Sequence, residues 1–220
     1  GGYFIDSKGV KNFCGSGNYS DVGVFSFHPV KHIACGEGGM VTTNSKELYE
    51  KLILLRTHGI SKDNMEEDHG GWYYEMKDLG YNYRLTDIQS ALGIVQLAKN
   101  VNGVQVRNKI AHRYKKAFEG KIKFQELPSG MYNAHHLFII EVENRKELYD
   151  YLKSNNIFSQ IHYIPVHLLP YYKNIGYEEA NLIHSEKYYS KCISLPMYPT
   201  LKLNEQKFVI NEVLKFISNE

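Results

Sequence analysis

The chain has 220 residues, 43% of them apolar, with a formal net charge of +2. That length and composition suffice for one large domain or two small ones and exclude a chain disordered throughout. No stretch approaches the roughly 18 apolar residues of a membrane-spanning helix, and no Lys/Arg stripe marks a nucleic-acid surface.

Asp21–Phe27 alternates Val22, Val24 and Ser26 with Gly23, Phe25 and Phe27, which predicts a strand ended by His28-Pro29. Gly36-Glu37-Gly38-Gly39 reads as a turn and Met40–Thr43 as a second strand. Asn44 or Ser45 can cap a helix whose Leu48, Leu52 and Leu55 fall at helical spacing before Gly59. Residues 61–80 are polar and glycine-containing, an excursion loop. Thr86 and Asp87 open a helical run with Ile88, Ala91, Leu92, Val95 and Leu97, and a second helical stretch covers about 101–118. The domain boundary falls in this helical region, dividing residues 1–100 from 101–220. The remainder alternates: a strand over 136–142, a helix over 145–154, a strand over 157–163 and a helix over 178–190. The short strand Cys192–Leu195 and a helix over 204–218, with Phe208, Val209, Val213, Leu214 and Ile217 on its apolar side, complete it. This order predicts an α/β chain ending in a small α+β domain.

Gly1–Asp6 has no basic region followed by an apolar run, so no signal peptide is read there. Cys14, Cys35 and Cys192 are odd in number and widely spaced, which argues for buried or half-buried thiols in a reducing compartment rather than disulfides or zinc. A cytoplasmic location is expected. His135, His136, His162 and His167 have no metal-site spacing. The 18 tyrosines suit cores near polar pockets and wet interfaces but name no ligand.

The chemistry concentrates in Ser26–Gly39. Lys31 follows a strand end, with Ser26 five residues before it and Gly36, Gly38 and Gly39 shortly after. A lysine that joins covalently to an aldehyde needs a lowered pKa and a fixed position, and His28 and His32 are candidate neighbours. A serine hydroxyl can donate to a phosphate oxygen, and glycines let backbone approach a ligand closely. These parts suit pyridoxal 5'-phosphate (PLP). By themselves they leave the bland alternatives open: a lysine beside a turn is ordinarily surface charge, the glycines ordinarily mark the turn, and Ser26 reads equally as a strand hydroxyl. The spacing matches neither a P-loop nor a dinucleotide fingerprint.

Three blocks carry a more specific signal: Ser26-Phe27-His28-Pro29-Val30-Lys31 with Gly36–Gly39 and Arg56-Thr57-His58-Gly59; Gly80-Tyr81-Asn82-Tyr83-Arg84-Leu85-Thr86-Asp87 through Gly93; and Gln160–His167 with Tyr171-Tyr172 and Ser194-Leu195-Pro196-Met197. Along essentially its whole length the chain resembles the DegT/DnrJ/EryC1/StrS sugar aminotransferases. The third block is similar to the subgroup of the pseudaminic-acid pathway. The resemblance implies the C-terminal portion of a fold type I PLP-dependent transferase, with part of the large PLP-binding domain in 1–100 and the small α+β domain in 101–220. It implies amino transfer from glutamate to C4 of a nucleotide-linked, UDP-type, 4-keto-6-deoxy sugar. Lys31 is then the catalytic, cofactor-linked lysine, and Ser26 binds the cofactor phosphate. Asn82 reaches the phosphate of the neighbouring subunit in a homodimer, and Arg84, His162 and Tyr163 belong to the sugar-nucleotide pocket. Without the resemblance, Asn82 reads as a turn residue, Arg84 as half of a surface ion pair and His58 as a locally bonded side chain. Glu37 is either a brace for the turn through backbone N–H groups or a plain salt-bridge partner.

The same resemblance places three groups upstream of Gly1: an aspartate for the pyridine nitrogen, a side chain stacked on the ring, and a glycine-rich turn for the phosphate. Asp6 and Asp21 lie outside the aspartate's motif. The chain opens with no initiator Met and no recognisable opening strand, and the expectation is an incomplete enzyme needing a missing N-terminal segment. The alternative is a remnant with a structural or dimerising role. A sugar dehydratase of the same fold carries histidine at the lysine position, and Lys31 argues against it.

Overall fold

The computed structural model describes residues 1–67, 69–177 and 180–218. The chain divides into two compact units, Gly1–Val101 and Asn102–Glu220.

The first unit opens with a hairpin, β1 (Tyr3–Ile5) against β2 (Lys11–Phe13), in the register Tyr3↔Phe13 and Ile5↔Lys11. Its turn closes on Asp6, whose Oδ1 accepts from the N–H groups of Lys8 and Val10 at 2.9 Å each. The Val10 hydrogen bond leads in holding the Asp6 carboxyl below its ordinary pKa. The sequence reading found no opening strand here, because three residues are too few for an alternation to register. The predicted strand pair is present, slightly trimmed, as β3 (Gly23–Ser26) and β4 (Gly39–Thr42), antiparallel with Ser26 opposite Gly39. Helix α1 (Lys46–Arg56) starts on Ser45, whose Oγ accepts from Leu48 N–H at 3.3 Å.

The polar excursion is more ordered than a plain loop, since β5 (Ile60–Ser61) pairs with β6 (Glu75–Met76). Glu75 also accepts from the Tyr73 hydroxyl at 3.2 Å and pairs with Lys77. Helix α2 (Asp87–Phe118) is one continuous helix of 32 residues, not two. Gly103 inside it costs only about 1 kcal/mol. Beyond it the helix buries Val104, Ile110, Ala111, Tyr114 and Phe118, which outweighs that cost.

The second unit adds β7 (Lys123–Phe124), β8 (Met131–Tyr132), β9 (Phe138–Glu141), α3 (Arg145–Ser154), α4 (Pro170–Tyr172), α5 (Ile183–Lys191), β10 (Cys192–Leu195) and α6 (Leu203–Ser218). Three strands form an antiparallel sheet in the order β10-β9-β7, with Cys192 and Lys123 both opposite Glu141. Its apolar side meets Leu148 and Leu152 of α3, Val209 and Val213 of α6, and Ile110, Tyr114 and Phe118 of α2. Tyr114 stacks on Phe138 at 4.9 Å, and its hydroxyl donates to Pro196 O at 2.9 Å. Buried Arg107 donates through Nη1 to the carbonyls of His135 at 3.2 Å, His136 at 3.1 Å and Met197 at 2.9 Å.

Three expectations change here. Residues 157–163 are no strand: Ile157 and Ser159 are buried in alternation, but the segment makes only the isolated bridge Gln160↔Ser194. The helix expected from 178 starts at Ile183, with 178 and 179 outside the described residues. Phe208 is exposed, since α6 turns Gln206, Val209 and Val213 inward and Phe208 falls beside that stripe. Of the thiols, Cys35 and Cys192 are buried, but Cys14 is exposed. Among the described residues no helix is long and apolar enough to cross a membrane.

Candidate active site

The β3–β4 pair pinches a loop at its neck. Buried Phe27 donates its N–H to Gly38 O at 2.8 Å and accepts from Cys35 N–H at 3.1 Å. Within the loop, Lys31 N–H donates to His28 O at 2.9 Å, a tight turn that sets half-buried Lys31 four residues beyond the neck. Ser26 ends β3, exposed, with its Oγ accepting from His28 N–H at 3.4 Å. Gly38 has φ +149°, and a Cβ there would lie 2.7 Å from Leu85 Cδ1, so glycine is required where the loop closes.

Glu37 braces the turn through its carbonyl, which accepts from Gln89 Nε2 at 3.0 Å and from Cys35 Sγ at 3.4 Å. Its carboxylate is an exposed partner 3.9 Å from His28 Nε2, worth little in stability. Gln89 also completes a capping box. Its Oε1 accepts from Thr86 N–H at 3.2 Å, and its own N–H donates to Thr86 Oγ1 at 3.3 Å. One side chain therefore ties the start of α2 to the lysine loop. The sequence reading assigned Gln89 no role, although Thr86-x-x-Gln89 is a visible capping signature.

Asn82 and Arg84 sit just before this helix, both exposed. Tyr81 N–H donates to Leu55 O at 2.7 Å, Tyr83 N–H to Arg56 O at 2.9 Å, and Asn82 bridges Thr57. The approach is close enough to need glycine twice: a Cβ on Gly59 would lie 1.7 Å from Asp78 O, and one on Gly80 2.1 Å from Gly59 N. Tyr81 and Tyr83 stack at 4.8 Å on either side of Asn82 in sequence. His58 donates its N–H to Tyr81 O at 2.8 Å, a local bond.

Ser26, Lys31, Asn82 and Arg84 thus lie on two segments that Gln89 and Leu85 hold together in the first unit. His162 and Tyr163 belong to the second unit. There His162 Nδ1 lies 2.7 Å from Ser194 Oγ, and exposed Tyr163 sits edge-on to the imidazole at 4.6 Å. His135 is buried, and burial pulls its pKa down to about 4. Among the described residues no group of three His, Cys, Asp or Glu side chains could hold a metal ion.

A primary amine on a pinned loop, an exposed hydroxyl at its base and glycine backbone around it form a donor set that fits an aldehyde carrying a phosphate. A lysine so presented is the group that covalent chemistry with an aldehyde cofactor uses. Residues 12–214 match the DegT/DnrJ/EryC1/StrS aminotransferase family, and the chain belongs to it. It is 38% identical over 210 residues to the spore coat polysaccharide biosynthesis protein SpsC of Bacillus subtilis, covering 90% of this chain and 54% of SpsC. It is 36% identical over 200 residues to the UDP-4-amino-4,6-dideoxy-N-acetyl-beta-L-altrosamine transaminase of Campylobacter jejuni, covering 88% of this chain and 51% of that enzyme. The structure of Helicobacter pylori PseC, an aminotransferase involved in the biosynthesis of pseudoaminic acid, matches with a TM-score of 0.83 at 33% identity. That match covers 93% of this chain and 55% of PseC. The chain spans about half the length of the curated relatives it matches. Over that half it has the mixed α/β fold of the fold type I PLP-dependent sugar aminotransferases.

Proposed function

We propose that the chain provides the lysine-bearing part of a PLP-dependent aminotransferase that moves an amino group from glutamate to C4 of a UDP-linked 4-keto-6-deoxy sugar. The observation that carries this reading is the lysine loop itself: Lys31 lies in a loop that follows Ser26, is closed by the Phe27–Gly38 bond and is braced by Gln89 at Glu37. Family membership supports the same chemistry. When bound, the cofactor withdraws electrons from the carbon bearing the amino group and makes its C–H bond acidic. Lys31 Nζ would hold the cofactor by its aldehyde carbon and, when free, would take and return the proton. The Ser26 hydroxyl donates to a phosphate oxygen, and the Asn82 amide is assigned to the phosphate of the neighbouring subunit's cofactor in a homodimer. Arg84, His162 and Tyr163 are assigned to the nucleotide sugar.

Borohydride reduction of the protein with PLP, followed by peptide mass spectrometry, tests the assignment. A pyridoxyl adduct is expected on the Lys31 peptide, absent from Lys31→Ala, with turnover reduced about 10²- to 10⁴-fold. An adduct on another lysine overturns the site. No adduct at all favours a structural or dimerising role instead.

A further inference from the structure

His28 opens the turn that carries Lys31. Its carbonyl accepts from Lys31 N–H at 2.9 Å, and Pro29, next in the turn, has its φ preset for that position. The ring adds a second closure. Nδ1 accepts from Val30 N–H at 3.5 Å, and because a backbone N–H only donates, the roles in this bond are fixed. In the other direction along the chain, His28 gives its own N–H to Ser26 Oγ at 3.4 Å. That bond uses a lone pair of the hydroxyl and leaves its hydrogen to be donated elsewhere.

Both side-chain bonds are near the long limit, and each alone is weak. Their weight comes from meeting at one residue. Ser26 and Lys31 stand five positions apart, and each bonds to His28. A rigid ring with a phosphate arm and an aldehyde engages both only if the hydroxyl and the amine are held in register. Resting on the assignment of Ser26 and Lys31 above, we propose that His28 is a positioning residue. It holds the phosphate-binding hydroxyl and the lysine at the spacing that one rigid phosphorylated aldehyde requires, without touching that ligand itself. Asparagine at the same place could accept from Val30 N–H through its side-chain oxygen, whereas alanine could not. The Glu37 carboxylate, 3.9 Å from the far ring nitrogen, is exposed and adds little.

Reductive trapping with two aldehydes reads this register. The full chain is incubated with PLP or with 5'-deoxypyridoxal, which has the same ring and aldehyde but no phosphate. Borohydride then reduces the C=N bond formed with the lysine, and mass spectrometry follows the adduct on the Lys31 peptide across a concentration series. The ratio of the two half-saturation concentrations measures what the phosphate adds. It is expected to favour PLP in the unmodified protein and to fall about tenfold in Ser26→Ala. In His28→Ala it is expected to fall about three- to tenfold, and in His28→Asn to stay within about twofold. Trapping of 5'-deoxypyridoxal is expected to stay within about twofold in both His28 variants, which separates lost register from lost folding. An unchanged ratio in His28→Ala, or a His28→Asn protein that behaves like His28→Ala, overturns the positioning role. So does a fall in 5'-deoxypyridoxal trapping in His28→Ala, since the ring would then serve the lysine or the fold and not the spacing. In each of these cases a lowered ratio in Ser26→Ala leaves the site reading standing. No Lys31 adduct, or equal trapping of the two aldehydes by the unmodified protein, overturns the site reading and this inference with it.

Discussion

In the unit Asn102–Glu220, Ile110, Leu148, Leu152, Ile193 and Val213 are wholly removed from solvent, whereas in Gly1–Val101 the apolar side chains Ile88 and Ile94 of α2 stand 84% and 69% exposed. One unit is held by a packed apolar core, as most small domains are. The other is held by backbone bonds, side-chain braces such as Gln89 and close approaches at glycine. The same helix illustrates both regimes, since its fully buried residues begin at Val104. Lys31, Ser26, Asn82 and Arg84 lie in the sparsely packed unit, His162 and Tyr163 in the other.

The largest expected effect tests the packed side. Arg107→Ala strips three carbonyls of their shared buried donor, and urea unfolding is expected to give a loss of about 3–5 kcal/mol. Next come two matched truncations. Leu148→Ala is expected to cost about 2–4 kcal/mol, while Ile94→Ala stays within about 0.5 kcal/mol. Equal losses from the two would break the comparison. A further effect depends on pH. His135 titrates at about 4 in the folded unit, against 6.5 without burial. Between these values the unfolded chain binds more protons. Its contribution is therefore fully present above 6.5 and is lost as pH falls towards 4. Solvent screening keeps that loss on the order of 2 kcal/mol or less. His135→Asn, compatible with the φ of 51° at that position, is expected to flatten the dependence of Tm on pH across this window.

The lysine loop could be read from the sequence because its signals are local: a strand end, one lysine and a glycine turn within fourteen positions, Ser26 to Gly39. Ser45 and the β3–β4 pair were legible for the same reason. What escaped depends on distant groups. Gln89 reaches a carbonyl 52 residues away, and Arg107 gathers carbonyls 28 and 90 residues away, yet in a helical pattern both look like ordinary solvent-facing polar residues. Ser194 stood inside a quoted motif, but its hydroxyl meets a ring 32 positions earlier. The β1–β2 hairpin was too short to show a period. The continuity of α2 rests on the side chains buried from Val104 onward, which helical spacing alone does not show.

The meeting of Gly59 with Gly80 has an engineering consequence. Both ends of the excursion are anchored at that crossing, so the geometry of Asn82 does not depend on how far the chain wanders between them. Lengthening such an insert costs little entropy, which marks its tip as a place to splice in an epitope or a fluorophore. A single added methyl at either glycine would pry the crossing open and move everything that follows.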